Sequence, residues 1–331
     1  MKCVAMLALA ALPFAAHAQE VLWDNGPIVT NPTGGTGTIA GLPISNCDGF
    51  TMPGQTFIFS TTGVGAAAAF DNALADDFTV ACGETWVPTS LKLYAFRNFT
   101  SVPAVTAVKV NLWSAPPFNA NSPLPHPDPL PAPMLAQSIT VPVTAGALIC
   151  HRQSVTSTST NRPVHEYVVD VSGLPQLASG TYWIEFSFVT PALTSGQNMH
   201  VPLVSPRSAV EGHNARQYSA LDGQQASPRS WFEGREGYVA GVQEGRAFEL
   251  PFVLEGSRVA PSCSGNLCGP QDFNGDGDSG TDQDIEAFFA CLGGNCCCTC
   301  FCQGSDFNGD GDFGTDQDIE AFFRVLGGGG C

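Results

Sequence analysis

The end of the chain repeats itself. The segment Asp272-Phe-Asn-Gly-Asp-Gly-Asp-Ser-Gly-Thr-Asp-Gln-Asp-Ile-Glu-Ala-Phe-Phe289 returns 34 residues later as Asp306–Phe323, with 17 of 18 positions identical. A duplicated unit this short cannot bury an apolar face alone, so the two copies must complete one fold between them. Each copy opens with oxygen-bearing side chains at positions 1, 3, 5 and 7: Asp272, Asn274, Asp276 and Asp278, then Asp306, Asn308, Asp310 and Asp312. Glycines stand between them. Alternate oxygen donors around a glycine-permitted turn are what a hard cation of calcium size requires. Carboxylates packed this closely repel one another without a cation. The pattern predicts two Ca2+ sites, against the blander readings of a solvated acidic hairpin or an empty loop.

A helix is expected after each loop. Thr281 with Asp284 three residues on has the form of a capping box, and Asp282 and Asp284 complement the dipole of the first turn. Ile285, Phe288, Phe289 and Leu292 then fall on one helical stripe, repeated as Ile319, Phe322, Phe323 and Leu326. These phenylalanines read as core, and the two helices are expected to pack on each other.

Two loop-helix units without a leading helix resemble a type I dockerin. The ending Leu326-Gly-Gly-Gly-Gly-Cys331, with its counterpart Leu292-Gly-Gly-Asn-Cys-Cys297, is similar to the Gly-Cys-terminated dockerin-like tails of secreted planctomycete-type bacterial proteins. The resemblance covers roughly residues 263–331. It implies calcium binding and docking onto a cohesin-like partner or a surface-sorting system. In dockerins an Asp at position 12 closes the loop; here position 12 is Gln283 or Gln317. The closing ligand is therefore Asp282 or Asp284 in the first loop, and Asp316 or Asp318 in the second.

The rest of the chain differs in character. Of the net charge of −17, the stretch from Cys263 onward carries −11, as twelve acidic residues and one Arg. Nucleic acid and anionic membranes are poor partners for such a chain, because phosphate contacts need clustered cations. Met1-Lys2, an apolar run to Ala15 and Ala16-His17-Ala18 read as a signal peptide over residues 1–18. No later apolar run is long enough to span a bilayer. Export, with attachment to the bacterial cell surface, is the expected localisation.

Residues 19–257 are weakly charged and rich in Thr, Ser and Val. Period-two runs at Leu91–Phe96, Val108–Leu112, Tyr167–Val171 and Tyr182–Phe188 predict half-buried antiparallel strands joined by turns. The expected fold is mainly β: an antiparallel, jelly-roll-like β-sandwich over 19–257, a linker over 258–270 and the small helical module over 271–331. Pro116–Pro133, with eight prolines in eighteen residues, reads as a surface loop. Val21-Leu-Trp-Asp-Asn-Gly-Pro27, Ala75–Val80 and Gly180-Thr-Tyr-Trp-Ile184 resemble segments that recur in exported bacterial β-sandwich modules, a likeness that carries no activity with it.

Twelve cysteines remain after Cys3, nine of them in the tail and linker and three (Cys47, Cys82, Cys150) in the β region. In an exported chain disulfides are the favoured reading, with thiol-metal binding at Cys296–Cys302 the alternative. Both counts are odd, so either one bond crosses between the parts or thiols remain, Cys331 being a natural candidate.

Catalytic signatures are missing. Gly277-Asp-Ser-Gly280 has the look of a serine-protease segment, yet its second copy, Gly311-Asp-Phe-Gly314, lacks the serine. No Gly-x-Ser-x-Gly elbow occurs. The histidines at 126, 151, 165, 200 and 213 never stand in ligand spacing and read as surface or loop residues. Asp76-Asp77 are expected to face opposite sides of a strand and not to share a site. Trp113, Trp183 and Trp231 read as core rather than a sugar-stacking platform. The expected function is non-catalytic display of a β-sandwich through the calcium module. The alternative is a sandwich that binds or cleaves polysaccharide.

Overall fold

The computed structural model describes residues 19–34, 41–47, 50–51, 58–59, 62–81, 84–98, 105–117, 134–135, 137–144, 146–154, 159–191, 199–204, 215–220, 229–233, 235–236, 246–259, 269–295 and 304–330. The signal-peptide segment, most of the proline-rich stretch, His126, His213, Cys82, the cysteines at 263, 268, 296–298, 300 and 302, and Cys331 lie outside these residues.

The protein is mainly β, and its strands gather into two six-stranded sheets. The first sheet contains β1 (Glu20–Asp24), β2 (Ile44–Asn46), β4 (Thr85–Ala95), β7 (Leu148–Gln153), β8 (Pro163–Asp170) and β12 (Phe252–Val259), in the order β1-β12-β4-β8-β7-β2. The second contains β3 (Ala73–Val80), β5 (Ala107–Trp113), β6 (Ile139–Pro142), β9 (Gly180–Val189), β10 (Arg216–Ala220) and β11 (Arg229–Glu233), in the order β11-β10-β3-β9-β5-β6. All four alternating runs fall in these strands, with Phe96 and Val171 one residue past the ends of β4 and β8. Alternation explains how the sheets meet: Leu91 and Leu93 of β4, Tyr167 and Val169 of β8, and Phe252 and Leu254 of β12 join Leu74 and Phe78 of β3, Val108 and Val110 of β5, and Ile184, Phe186 and Phe188 of β9 in one buried apolar cluster.

One pairing departs from the antiparallel expectation. β2 runs parallel to β7, with Ile44 opposite His151 and Asn46 opposite Gln153. A three-residue edge strand reached by a long connection is free to take either direction. This register also bears on the cysteines. Cys47 and Cys150 are both buried. They lie at opposite ends of the paired segment, roughly 13 Å apart at about 3.3 Å per residue, too far to bridge. Burial pushes the Cys150 thiol up to about 12.

β12 continues to Val259, two residues into the stretch read as linker. Its register against β4 shifts between Glu255 and Gly256. A Cβ at Gly256 would stand 2.2 Å from the Val87 carbonyl oxygen and 2.9 Å from Leu22 Cδ1. Gly256→Ala is therefore expected to destabilise the β region by about 1–3 kcal/mol, the usual cost of overpacking. Urea unfolding checks this as a lower midpoint at unchanged slope; an unmoved midpoint would refute the tight approach.

Two histidines are interior, contrary to the surface reading. His151 and His165, on the paired strands β7 and β8, are 8% and 6% exposed. Desolvation, and then the neighbouring His165, hold His151 below its ordinary pKa. His200 stacks on Phe96 at 5.5 Å, and desolvation lowers its pKa too. No described helix is long and apolar enough to cross a membrane.

Candidate functional site

The two repeated loops fold alike. Asp272 accepts through Oδ1 from the amides of Gly275 (2.8 Å) and Asp276 (3.1 Å), and through Oδ2 from Gly277 (3.1 Å). Asn274 Oδ1 accepts from the Asp276 amide and its Nδ2 donates to Asp276 Oδ2, both at 2.9 Å. Asp276 Oδ1 then accepts from the Asp278 amide at 2.9 Å. The second loop repeats the Asn308, Asp310 and Asp312 bonds and the Gly311 amide to Asp306 Oδ2, but Asp306 Oδ1 lacks the two amides that meet its counterpart on Asp272. Gly275 and Gly277 have φ of 74° and 95°, and Gly309 and Gly311 have 74° and 90°, a conformation that a side chain would strain. A backbone bond closes the base of each loop, Gly280 N to Gln271 O and Gly314 N to Ser305 O.

Helices follow as the capping pattern predicts: α1 (Asp282–Leu292) and α2 (Asp316–Leu326), each with a complete capping box. Asp284 Oδ2 accepts from the Thr281 amide (2.8 Å) and hydroxyl (3.0 Å), while Oδ1 accepts from the amides of Phe273 (2.8 Å) and Asn274 (3.2 Å). Asp318 makes the equivalent bonds to Thr315 and Asn308. Desolvation raises the pKa of both carboxyls, but the hydrogen bonds together outweigh it and leave them below the usual range. Both are fully buried, whereas Asp282 and Asp316 are exposed in the first helical turn. Of the two candidate closing residues, the inner one is therefore committed to joining loop and helix.

The tail's interior corrects the stripe reading. Phe288 and Phe322 are buried and stack at 4.0 Å, but Phe289 and Phe323 are each 46% exposed. Their expected places are taken by Phe273 and Phe307, the second residue of each loop, which are fully buried against Phe288 and Phe322. Nothing in the helical period marks a loop residue as core.

The donor set of the loops is all oxygen, as a calcium-like ion requires. Asp306 is 5% exposed, and its Oδ1 has no hydrogen-bond donor among the described residues. A buried carboxylate oxygen left this way is costly unless something cationic meets it. Asp276, Asp278, Asp310 and Asp312 remain exposed.

A second acidic group lies in the β region. Asp76, Asp77 and Glu249 are the one set of three among the described residues whose potential ligand atoms all come within 4.8 Å of one another, and all three are buried. The strand parity of Asp76-Asp77 is as expected, since Asp76 falls between the core residues Leu74 and Phe78, and Asp77 follows Ala73 and Ala75 of the other face. The expectation that they stay apart is wrong. Asp side chains are short, so their oxygens remain near the backbone, and the passing segment 248–250 brings Glu249 to both. Asp76 is a hydrogen-bond hub: Oδ2 accepts from Asn25 Nδ2 (3.0 Å) and the Leu250 amide (2.7 Å), and Oδ1 from the Asp77 amide (3.0 Å). Burial pushes its pKa up to about 8, against the lowering effect of the Glu249 side chain and the Leu250 amide. Asp76 thus already holds three donors, and a hydrogen bond with the Glu249 side chain joins the two carboxyls.

Comparison with known proteins finds no family that the chain matches and no curated protein significantly similar to it.

Of the tryptophans, Trp183 is 1% exposed beneath the Arg216 guanidinium, 5.5 Å from its ring, and so is core. Trp113 is half-buried and donates from Nε1 to Glu185 at 2.8 Å. The Trp231 side chain lies outside the description. Glu249 was invisible to sequence reasoning, because its partnership with Asp76 spans more than 170 residues and has no local signal.

Proposed function

We propose that the chain is an exported, surface-attached, non-catalytic protein in which a β-sandwich is displayed by a calcium-binding, dockerin-like tail. The sandwich reading rests on the two six-stranded sheets with one shared core. The observation that carries the calcium reading is the buried, undonated Oδ1 of Asp306 at position 1 of a loop with oxygen-bearing side chains at positions 3, 5 and 7. Asp272, Asn274, Asp276 and Asp278 would hold one ion, and Asp306, Asn308, Asp310 and Asp312 the other. With Asp284 and Asp318 occupied at the helix caps, Asp282 and Asp316 are the residues left to complete the sites. A bound ion would cancel repulsion among the aspartates and fix the loops on which the helices stand. The ordered tail then offers a surface to a cohesin-like partner or a sorting system.

Calorimetric titration of the full, oxidised chain with Ca2+ tests this. Two bound ions per chain are expected, with a rise in the thermal midpoint of the tail. Absence of heat and of any stabilisation at millimolar Ca2+ would reject the calcium reading and leave a sorting tag held by its own core. The alternative, a sandwich that binds polysaccharide, draws its support from the outer face of the second sheet.

A further inference from the structure

On the second sheet, β10, β3, β9 and β5 lie side by side, and alternate residues face away from the shared core. Tyr218 of β10 pairs with Ala73 of β3, Ala75 with Glu185 of β9, Glu185 with Asn111 of β5, and Ser187 with Lys109. Ala73, between longer side chains, lowers this face, and a cavity of about 430 Å³ opens there, with Ala68 also on its wall. Its volume falls within the roughly 300–1,000 Å³ usual for small-ligand sites. The rim at one end is Asp71 and Asn72, directly before β3. Asp71 follows the short turn Ala68–Phe70 and is the sole non-glycine among the described residues with left-handed φ, at 52°. Glu185 is held in place: the Trp113 indole fixes its Oε2, and desolvation raises its pKa.

The lining selects a class of ligand. Two carboxylates, Asp71 and Glu185, share the cavity with the single ammonium of Lys109, so the lining keeps a slight excess of negative charge and turns away anionic ligands. The remaining groups are the hydroxyls of Ser138 and Ser187, the amide of Asn72 and the half-buried ring of Tyr218. Carboxylates and amides hydrogen-bond neighbouring hydroxyls in pairs, and a tyrosine ring offers a flat apolar wall to a C–H face. We infer that this cavity binds a neutral sugar residue, within a polysaccharide chain or at its end. The inference rests on the polysaccharide reading of the β region, and it is independent of calcium in the tail.

The test is binding of the full, oxidised chain to an array of neutral glucans, xylans, mannans and galactans beside uronic-acid and amino-sugar polymers, with and without EGTA. Retention on at least one neutral glycan is expected, unchanged by EGTA. Tyr218→Ala and Lys109→Ala are expected to weaken it by about tenfold or more, the scale of losing one stacked or hydrogen-bonded contact. Phe313→Ala in the tail should leave it unaltered. Lys109 is exposed, so its variant keeps the test alive if Tyr218→Ala fails to fold. No retention on any neutral glycan, retention on charged polymers alone, or retention insensitive to Lys109→Ala would each overturn the inference. Loss of calcium binding in the titration above would leave it standing.

Discussion

Replacing Phe322 by alanine is expected to unfold the tail, not merely loosen it. Phe322 is fully buried and touches all three other buried rings, stacking on Phe288 at 4.0 Å and meeting Phe307 at 5.3 Å and Phe273 at 5.9 Å. Apart from these rings the buried apolar set of the tail, among the described residues, contains only Cys291 and Ala321. Truncating a core phenylalanine costs about 3–5 kcal/mol. A unit of this size rarely holds more than about 3–5 kcal/mol in total from its core. Amide exchange in residues 282–292 and 316–326 of the full chain should collapse to that of an unfolded segment in Phe322→Ala, while the β region keeps its protection. Phe323→Ala, one position along and 46% exposed, is the contrast: its cost should stay below about 1 kcal/mol. Equal protection in the two variants would show that the interior is not built on this ring.

The carboxyl cluster gives the second large effect, through pH. Asp76 is raised from 3.8 to about 8 by burial. Between those values the native chain holds a proton that the unfolded chain has released. The stability from this proton is complete below the lower value, is lost as pH rises, and is gone above the upper one. The thermal midpoint of the β region should therefore fall between pH 5 and pH 9, by roughly 5–10 °C for a unit of this size. The groups facing Asp76 are Asp77 on its own strand, Glu249 and the Leu250 amide on the passing segment, and the Asn25 amide after β1. Asp76→Asn keeps acceptor and shape without the titration, and should flatten the dependence. A variant with the parent's slope would refute the assignment. Asp76→Ala strips the acceptor from three buried donors and is expected to cost about 3–5 kcal/mol at any pH.

What could be read in advance divides by range. The four alternating runs became strands and the capping boxes became helix starts, because period and capping act over a few residues. The interior of the tail was half legible. Phe288 and Phe322 follow the helical period, whereas Phe273 and Phe307 sit among loop aspartates, where only the three-dimensional closure of the loop turns them inward. Asp284 was ambiguous between ligand and cap until the amides of Phe273 and Asn274 were seen to occupy it. The Asp76–Glu249 partnership and the cavity on the second sheet depend on strands brought together from distant parts of the chain. Their residues carry no mark of it in sequence.

The last strand carries a mechanical consequence. β12 lies between β1 and β4, paired with β4 along its whole length and with β1 over Val253–Gly256, and it is the last strand before the tail segment. At its end Arg258 reaches Glu20 at 3.0 Å and Glu84 at 3.2 Å, with its guanidinium 5.7 Å from the Trp86 ring. A pull transmitted through the tail therefore arrives along the axis of β12, across its hydrogen bonds. Those bonds are loaded together, as in shear, while Arg258 holds the strand end against Glu20 and Glu84. A β region pulled at this end therefore gives way in one step rather than strand residue by strand residue.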